Sequence, residues 1–246
     1  MEFLTNKSTA LSLISGVFLS SIFAFNQQAL AISEEEIVEK LRVVVVFAIV
    51  NEQGSPLVTL VDNTSREKPV FVSQNDAQSF INQRQALGKS ELVERLQVRA
   101  VSLADIYQLT KEDTQKSNSS VFSVTPSLAA ASAAERTAAE AVTKSGKFQG
   151  VPLFFVSIKR WDDLQITYLE RKEQDTSVIP LFFEKKAAEE MVAEFRREHP
   201  DLTLQLEIGV TSLDLILNRF ETEDSETVRK MILEPTEESL EFLRSL

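Results

Sequence analysis

Few side chains of this sequence have the types and spacing that acid–base, nucleophilic or metal chemistry requires. His199 is its one histidine and follows Arg197 and Glu198. A catalytic base at this position is conceivable, but a helix end favours a solvated or capping imidazole because cations are stabilised there. The sequence has 0 cysteines, which excludes the usual zinc sites and a cysteine–histidine pair.

Two serine–aspartate pairs have the residue types of a nucleophile with an acidic partner, namely Ser102 with Asp105 and Ser212 with Asp214. Serine chemistry also needs a base that removes the hydroxyl proton, and no histidine is close to either pair in the sequence. Each serine stands at the predicted start of a short helix, where a hydroxyl oxygen accepts hydrogen bonds from free amides. We therefore interpret both serines as helix caps.

The remaining polar patterns indicate no site either. Adjacent carboxylates such as Glu189-Glu190 and Glu237-Glu238 are typical of a solvated helix surface or of the first turn of a helix. The 6 glycines form neither of the common phosphate-binding loops. The sequence thus predicts no catalytic, cofactor-binding or metal-binding residue, and we expect that the chain is not an enzyme.

The phenylalanines are more informative, since the sequence contains 16 of them. Neighbouring residues of a strand point to opposite faces, so two adjacent phenylalanines place a ring on both faces of a sheet. Either helices cover both faces, or one face is an apolar groove that binds a partner. Under the second alternative, the candidate binding residues for an unfolded client protein are Phe71, Phe154, Phe155, Phe182 and Phe183.

A strand followed by a helix is predicted at residues 178–195, and the same pattern occurs earlier at residues 68–81. Apolar residues run consecutively in the first part of each stretch and recur every three or four residues in the second. The other predicted elements repeat in the same order, so we interpret the chain as an internal duplication. The matched residues of the two stretches include Pro69 with Pro180 and Phe71 with Phe182.

Each copy is predicted to contain strand, strand, strand, helix, strand, short helix, strand and helix. In the first copy, the valine-rich run at residues 43–50 has no polar face and is expected to be a central strand. It is expected to form a hairpin with residues 57–61, whereas the polar residues 111–120 are predicted to be a loop. The predicted fold class is α+β, a pseudo-two-fold duplicated unit with mixed, mostly antiparallel sheets and flanking helices.

The predicted organisation has four parts. A basic Lys7, an apolar stretch and the closing Ala29-Leu30-Ala31 are typical of a signal peptide that is cleaved after Ala31. A retained membrane anchor is the alternative, but serines interrupt the apolar stretch, which falls short of a membrane span. Ser33 and Glu36 then form a capping-box pattern that starts a short helix. The parts are the signal peptide at residues 1–31, the helix at 32–42 and the repeat halves at 43–149 and 150–246, both in one compact domain.

The net charge is −11 at pH 7, from 26 basic and 37 acidic side chains. This charge repels phosphate backbones and anionic lipid surfaces, so we expect neither nucleic acid binding nor stable membrane insertion. An exported chain without cysteine forms no disulfide, which suits a bacterial periplasm or a similar envelope compartment.

Segments spread over nearly the whole mature chain resemble the Tic-twenty-two (Tic22) family, the soluble subunit of the translocon at the chloroplast inner envelope, in its cyanobacterial periplasmic form. The chain departs from the family pattern at Val45, where a proline is usual. The matching segments are Val45-Val46-Phe47, Gly54-Ser55-Pro56-Leu57, Val70-Phe71, Asp76-Ala77-Gln78, Phe80, Val101-Ser102-Leu103, Ile106-Tyr107, Gly150-Val151-Pro152-Leu153-Phe154, Ile179-Pro180-Leu181-Phe182-Phe183 and Leu233-Glu234-Pro235.

The resemblance implies a pseudo-symmetric protein that works between two membranes. Plastid members of the family lie in the intermembrane space and help precursor proteins to cross. For bacterial members it implies the periplasm or the thylakoid lumen, and a role beside the β-barrel assembly protein that has periplasmic domains. It also implies a chaperone-like use of apolar pockets, with no catalytic residue and no cofactor.

Our leading hypothesis is a periplasmic chaperone-like factor that escorts unfolded precursor proteins in outer-membrane biogenesis or protein import, through apolar grooves on the two halves. The alternative is a structural adaptor that docks on an outer-membrane assembly or translocon complex without holding clients. A hydrolase is a third hypothesis, and it would need an acid and a base that the fold brings together.

Overall fold

A computed structural model of the chain describes residues 31–61, 65–87, 95–114, 121–141, 148–159 and 166–244. The predicted signal peptide, apart from its last residue, lies outside them. The described strands are β1 Val45–Val50, β2 Thr59–Val61, β3 Ser65–Phe71, β4 Gln97–Ser102, β5 Val121–Thr125, β6 Pro152–Ile158, β7 Thr167–Tyr168, β8 Arg171–Glu173, β9 Thr176–Phe182, β10 Leu206–Ser212 and β11 Met231–Glu234. The described helices are α1 Glu34–Arg42, α2 Gln74–Ala86, α3 Leu103–Thr114, α4 Leu128–Ala141, α5 Lys185–Glu198, α6 Leu213–Thr222, α7 Glu226–Lys230 and α8 Glu237–Arg244.

The first helix begins where the capping pattern predicts. The Ser33 hydroxyl accepts a hydrogen bond of 3.1 Å from the Glu36 amide, which satisfies one of the free donors of the first turn. The Glu36 carboxylate does not complete the box but pairs with Arg229 in the second half, at 2.8 Å. The buried residues of α1 are Ile37, Val38 and Leu41, so its apolar face lies in the core.

The first sheet has the order β2-β3-β1-β4, and β5 pairs in parallel with β3. Every residue of β1 is buried and β1 lies between two neighbours, as the absence of a polar face predicts. The predicted hairpin forms only next to its turn, and beyond residue 57 the prediction is wrong, because β2 pairs with β3 and not with β1. The Asn51 side chain closes the turn by accepting bonds from two amides, and the Leu57 amide beside the Val50–Pro56 bridge donates a bond of 2.8 Å to the Ile49 carbonyl. Beyond this bridge, β3 pairs with β1 and takes the place of residues 59–61.

The predicted loop at residues 111–120 is also corrected, since α3 continues to Thr114. Ion pairs hold this polar helix end in place: Lys68 with Asp113 at 2.5 Å and Lys111 with Glu221 at 2.9 Å. Residues 115–120 lie outside the described part of the chain. Two described elements were not predicted, namely the strand β8 and the short helix α7.

The second sheet repeats the order of the first. Its strands lie in the order β10-β6-β9-β11, which corresponds to β4-β1-β3-β5 of the first sheet. The match extends to single residues, since Phe47 lies opposite Phe71 and Phe154 lies opposite Phe182. The amides that open α3 and α6 both donate bonds of 2.8 Å back to the start of the half, to the Val44 and Val151 carbonyls. Matched positions of the sequence therefore occupy matched positions in the two sheets.

The last helix of each half packs on the sheet of the other half. The helix α4 of the first half covers the outer face of the second sheet together with α5, through Ala130, Ala134 and Ala188. The helix α8 of the second half reaches the outer face of the first sheet, which α2 also covers. There the Phe242 ring meets the Phe47 ring edge to face at 6.0 Å.

A buried hydroxyl fastens the exchanged helix α8. The Ser239 Oγ donates a bond of 3.0 Å to the Val45 carbonyl of β1 and lies 2.8 Å from the Thr236 hydroxyl, which caps α8. The inner faces of the two sheets share one apolar cluster with α1, α3 and α6. Both faces of both sheets are therefore covered by packed elements.

Candidate functional site

The five phenylalanines that the sequence suggests as client-binding residues all lie in the interior. The expectation that one ring of each adjacent pair faces an open groove is wrong. Their exposed fractions are 6% for Phe71, 0% for Phe154, 7% for Phe155, 6% for Phe182 and 2% for Phe183.

Different neighbours cover the two faces. The Phe155 and Phe183 rings belong to the cluster that the two halves share. The Phe154 and Phe182 rings point to the outer face of the second sheet, where α4 and α5 cover them. Phe71 lies under α2, with its ring 5.5 Å from the Phe80 ring. The structure thus divides the five residues among three clusters and brings no open surface together from them.

An apolar groove does exist, but it lies between the halves. It is a cavity of about 380 Å³ between α3, α6, β5 and the start of β6, within the size range of small-molecule and peptide pockets. It is open on one side. Its apolar lining consists of Leu103, Ile106, Tyr107, Phe122, Val124, Val151, Leu213 and Leu217. We call this cavity, with its continuation along the same two helices, the interhelix groove.

The continuation is a second cavity of about 470 Å³ that shares part of the same lining. The shared residues are Tyr107, Thr110, Asp214 and Leu217, and the second cavity adds the polar side chains of Asn218 and Glu221. Lys111, Asn218 and Glu221 therefore add polar side chains at one end of the interhelix groove, which we call its mouth.

Three charged or polar side chains join the two helices at this mouth. The Tyr107 hydroxyl donates a hydrogen bond of 2.8 Å to the Glu221 carboxylate, and the Lys111 ammonium lies 2.9 Å from the same carboxylate. Burial raises the pKa of Tyr107. Burial would raise the pKa of Glu221 too, but the bonds from Lys111 and Tyr107 outweigh it and hold that pKa below its ordinary value. The bond to Glu221 raises the pKa of Lys111 in turn.

Replacing Glu221 by glutamine is expected to flatten the acid side of the stability profile. Because the pKa of Glu221 is lowered in the folded state, its stabilising effect is present above the unfolded value and is lost as the pH falls through the folded value. The side chain is 34% exposed, so we expect a loss of no more than about 1 kcal/mol at neutral pH. Thermal unfolding between about pH 3 and pH 7 measures the profile.

The matched control is Glu241→Gln, which makes the same charge change on the exposed face of α8. Its profile is measured beside that of Glu221→Gln and is the reference for the loss of one surface carboxylate. If the stability of Glu221→Gln falls below about pH 5 as steeply as that of the wild type, Glu221 does not couple stability to pH.

The two serines are helix caps, as interpreted from the sequence. The Ser102 hydroxyl accepts a bond of 3.1 Å from the Ala104 amide and donates one of 3.2 Å to the Arg42 carbonyl. The Ser212 hydroxyl accepts a bond of 3.3 Å from the Leu215 amide. In these contacts, neither hydroxyl is hydrogen-bonded to a side chain that could remove its proton.

His199 ends α5 and is exposed, with its ring 4.7 Å from the Phe195 ring. It lines a separate cavity of about 410 Å³ together with charged side chains such as Glu194 and Arg171. Within the described ranges, no group of three or more histidine, cysteine, aspartate or glutamate side chains is placed to hold a metal ion. Among the same residues, none of the helices has the length and apolar character that a membrane crossing requires.

The interhelix groove was not predicted from the sequence, although a signal for it was present. The Ser-Leu corner occurs in both copies, as Ser102-Leu103 and Ser212-Leu213. Each corner starts a helix with an apolar face, and each of these faces must be covered by other residues or by a partner. The sequence pattern does not say how far apart the two helices lie, and this distance determines whether a groove remains.

Comparison with known proteins identifies the chain's relatives. The model of the Tic22-like family matches residues 5–245. The solved structure of Anabaena Tic22, described as protein transport, is 28% identical and has a TM-score of 0.75, and the match covers 87% of this chain and 98% of that one. Tic22 from Plasmodium falciparum is 20% identical with a TM-score of 0.65, over 85% of this chain and 96% of that one, and indicates the fold alone. No curated protein matches the chain.

The family match extends over nearly the whole sequence and agrees with the resemblance carried by the matched segments. The α+β fold with mostly antiparallel sheets agrees with it as well. This chain belongs to the Tic22-like family.

Proposed function

We propose that the chain is a non-enzymatic protein-transport factor that escorts unfolded precursor proteins and holds an apolar segment of them in the interhelix groove. The observation that supports the proposal is the groove itself, which has an apolar floor, an open side and a volume suited to a few side chains of a client. A solved relative, Anabaena Tic22, is described as protein transport.

The proposed compartment is the bacterial periplasm, and the proposed pathway is outer-membrane biogenesis or protein import beside a β-barrel assembly protein with periplasmic domains. The absence of cysteine suits a chain that folds in such a compartment by core packing alone. Its net charge of −11 keeps a complex with an apolar client dissolved through repulsion between molecules.

A structural adaptor is the second candidate, and one observation favours it. All five phenylalanines proposed for client binding are buried, and helices cover the outer faces of both sheets. The structure therefore has a groove at the junction of the halves, whereas the sequence suggested one groove on each half. A groove of about 380 Å³ suits one short partner segment better than an extended unfolded chain.

Light scattering from a chemically denatured client tests the escort function. The mature protein at equimolar concentration is expected to suppress aggregation, and Leu217→Gln is expected to lose at least about half of this effect because it places an amide in the apolar lining. Leu215→Gln is the matched control, since Leu215 lies on the same helix but is 58% exposed. Circular dichroism verifies that both variants are folded.

The outcomes separate the two candidates. No suppression by the wild type would contradict the escort function, and equal suppression by both variants would contradict the groove as its site. Crosslinking in cells distinguishes the adaptor further. One dominant folded partner supports the adaptor, whereas many unfolded precursors support the escort.

A further inference from the structure

The pseudo-two-fold relation gives the interhelix groove a counterpart in the other half. The relation exchanges α3 with α6, β5 with β11, and Val44 with Val151. The groove formed by α3, β5, Val151 and α6 therefore corresponds to a surface formed by α6, β11, Val44 and α3. In this chain the corresponding surface is occupied, because α1 packs against α3, α6 and β11.

The contacts of α1 show what this kind of surface binds. Ile37, Val38 and Leu41 insert into the apolar cluster, which also contains the first residues of α3 and α6. The Lys40 ammonium donates bonds of 2.6 and 3.0 Å to the Arg229 and Met231 carbonyls at the start of β11. An amphipathic helix with a flanking cation is thus the natural occupant of the surface.

The second half has no described helix at the position of α1. There α4 ends at Ala141, and the next described residue is Phe148, four residues before β6 begins at Pro152. The Phe148 side chain packs on the outer cluster of the second sheet, away from the groove. The interhelix groove therefore corresponds to the surface that α1 covers, but no helix of the described residues covers it.

Matched residues show how the two surfaces differ. Asp214 in the groove corresponds to the buried Ala104 on the surface under α1. Thr110 in the groove corresponds to Phe220 on that surface. The Asp214 carboxylate lies over Gly150, within 2.9 Å of where a β-carbon would stand. The groove is thus more acidic than the surface under α1.

The charges at the groove favour a cationic occupant. Its acidic lining residues are Glu67, Asp214 and Glu221, and its described basic lining residue is Lys111, which already pairs with Glu221. The α1 sequence itself carries Glu34, Glu35, Glu36 and Glu39 and would be repelled.

We infer that the interhelix groove binds an amphipathic helix of a partner protein whose apolar face resembles that of α1 and whose polar face carries lysine or arginine. This inference rests on the proposed function and names the chemical class of segment that the groove selects. The apolar face supplies most of the affinity, and the cationic face meets Asp214 and supplies selectivity.

A labelled peptide tests the inference with the full mature protein. The probe has the sequence of residues 32–43 with its glutamates replaced by lysine, which retains Ile37, Val38 and Leu41. The controls are the unaltered peptide and the cationic peptide with those three residues changed to serine. Fluorescence anisotropy at about 0.15 M salt, where long-range charge effects are screened, is expected to show at least about tenfold tighter binding of the probe than of either control.

Two protein variants locate the binding. Asp214→Lys is expected to weaken binding of the probe about tenfold, and Asp201→Lys is expected to leave it unchanged. Both residues are exposed aspartates, and both variants change the net charge equally, but Asp201 lies outside the groove.

Equal binding by both variants, or no binding of the probe, would overturn the inference. Equal binding of the unaltered peptide would also overturn it, since a second copy of α1 would then be the better occupant. The same wild-type preparation is also tested for suppression of client aggregation. This measurement distinguishes a failure of the inference from a failure of the escort function. If suppression persists while the probe fails to bind, the escort function stands and only the class of segment is wrong.

Discussion

Replacing Phe154 by alanine is expected to lower the free energy of unfolding by about 3 to 5 kcal/mol. Its ring is fully buried between the second sheet and the helices α4 and α5. Removing it deletes apolar contacts and leaves a cavity that packed neighbours fill only in part. Urea unfolding followed by circular dichroism measures the change.

The control for this prediction is Leu128→Ala at the start of α4. That side chain is 77% exposed, so the change is expected to stay within about 0.5 kcal/mol. A loss below about 1 kcal/mol in Phe154→Ala would contradict the buried position of the ring. The folded fraction of Phe154→Ala should still suppress client aggregation, because the ring lies outside the interhelix groove.

Local rules of sequence predicted much of the fold. The serines at the starts of α1, α3 and α6 all cap their helices through the hydroxyl. A cap depends on a few adjacent residues, so it can be predicted without knowledge of distant contacts. The unbroken burial of β1 was predictable for the same reason, because a strand without a polar face needs cover on both sides.

Long-range contacts account for the predictions that were wrong. The hairpin stops after its first bridge because β3 occupies the edge of β1 beyond that point, and β2 pairs with β3 instead. Phe154 and Phe182 are buried because the first half sends its last helix to the second sheet, and Phe155 and Phe183 are buried because the two halves share their inner cluster. No pattern within one copy of the sequence indicates that exchange, since α4 and α8 have an apolar face in either arrangement.

For the candidate site as well, the local features could be predicted from the sequence and the long-range contacts could not. The residues of the interhelix groove come from α3 and α6, and their matched corners were visible in the sequence. One of the two surfaces beside those helices is covered by α1, and the other is open. The difference arises because no described helix of the second half has the position that α1 has in the first. Duplication thus predicted two equivalent surfaces, while the structure shows one of them filled.

Replacing Gly209 by alanine is expected to lower the free energy of unfolding by about 1 to 3 kcal/mol. Gly209 lies opposite Phe155 in the ladder, and an added β-carbon would stand 2.3 Å from that ring. The ring has little room to move, because it is buried and meets the Tyr168 ring edge to face at 5.1 Å. Urea unfolding of the variant measures the cost.

The duplication supplies the reason for this pair and a way to test it. In the first half the matched residues are Ala48 and Arg99, so the small residue and the large one have exchanged strands. If ring contact causes the cost of Gly209→Ala, the same change in a Phe155→Leu background should cost less than about 0.5 kcal/mol, since a shorter side chain leaves room. An equal cost in both backgrounds would assign the effect to the backbone of β10. A reduced cost would show that the Phe155 ring itself leaves no room for a side chain at position 209.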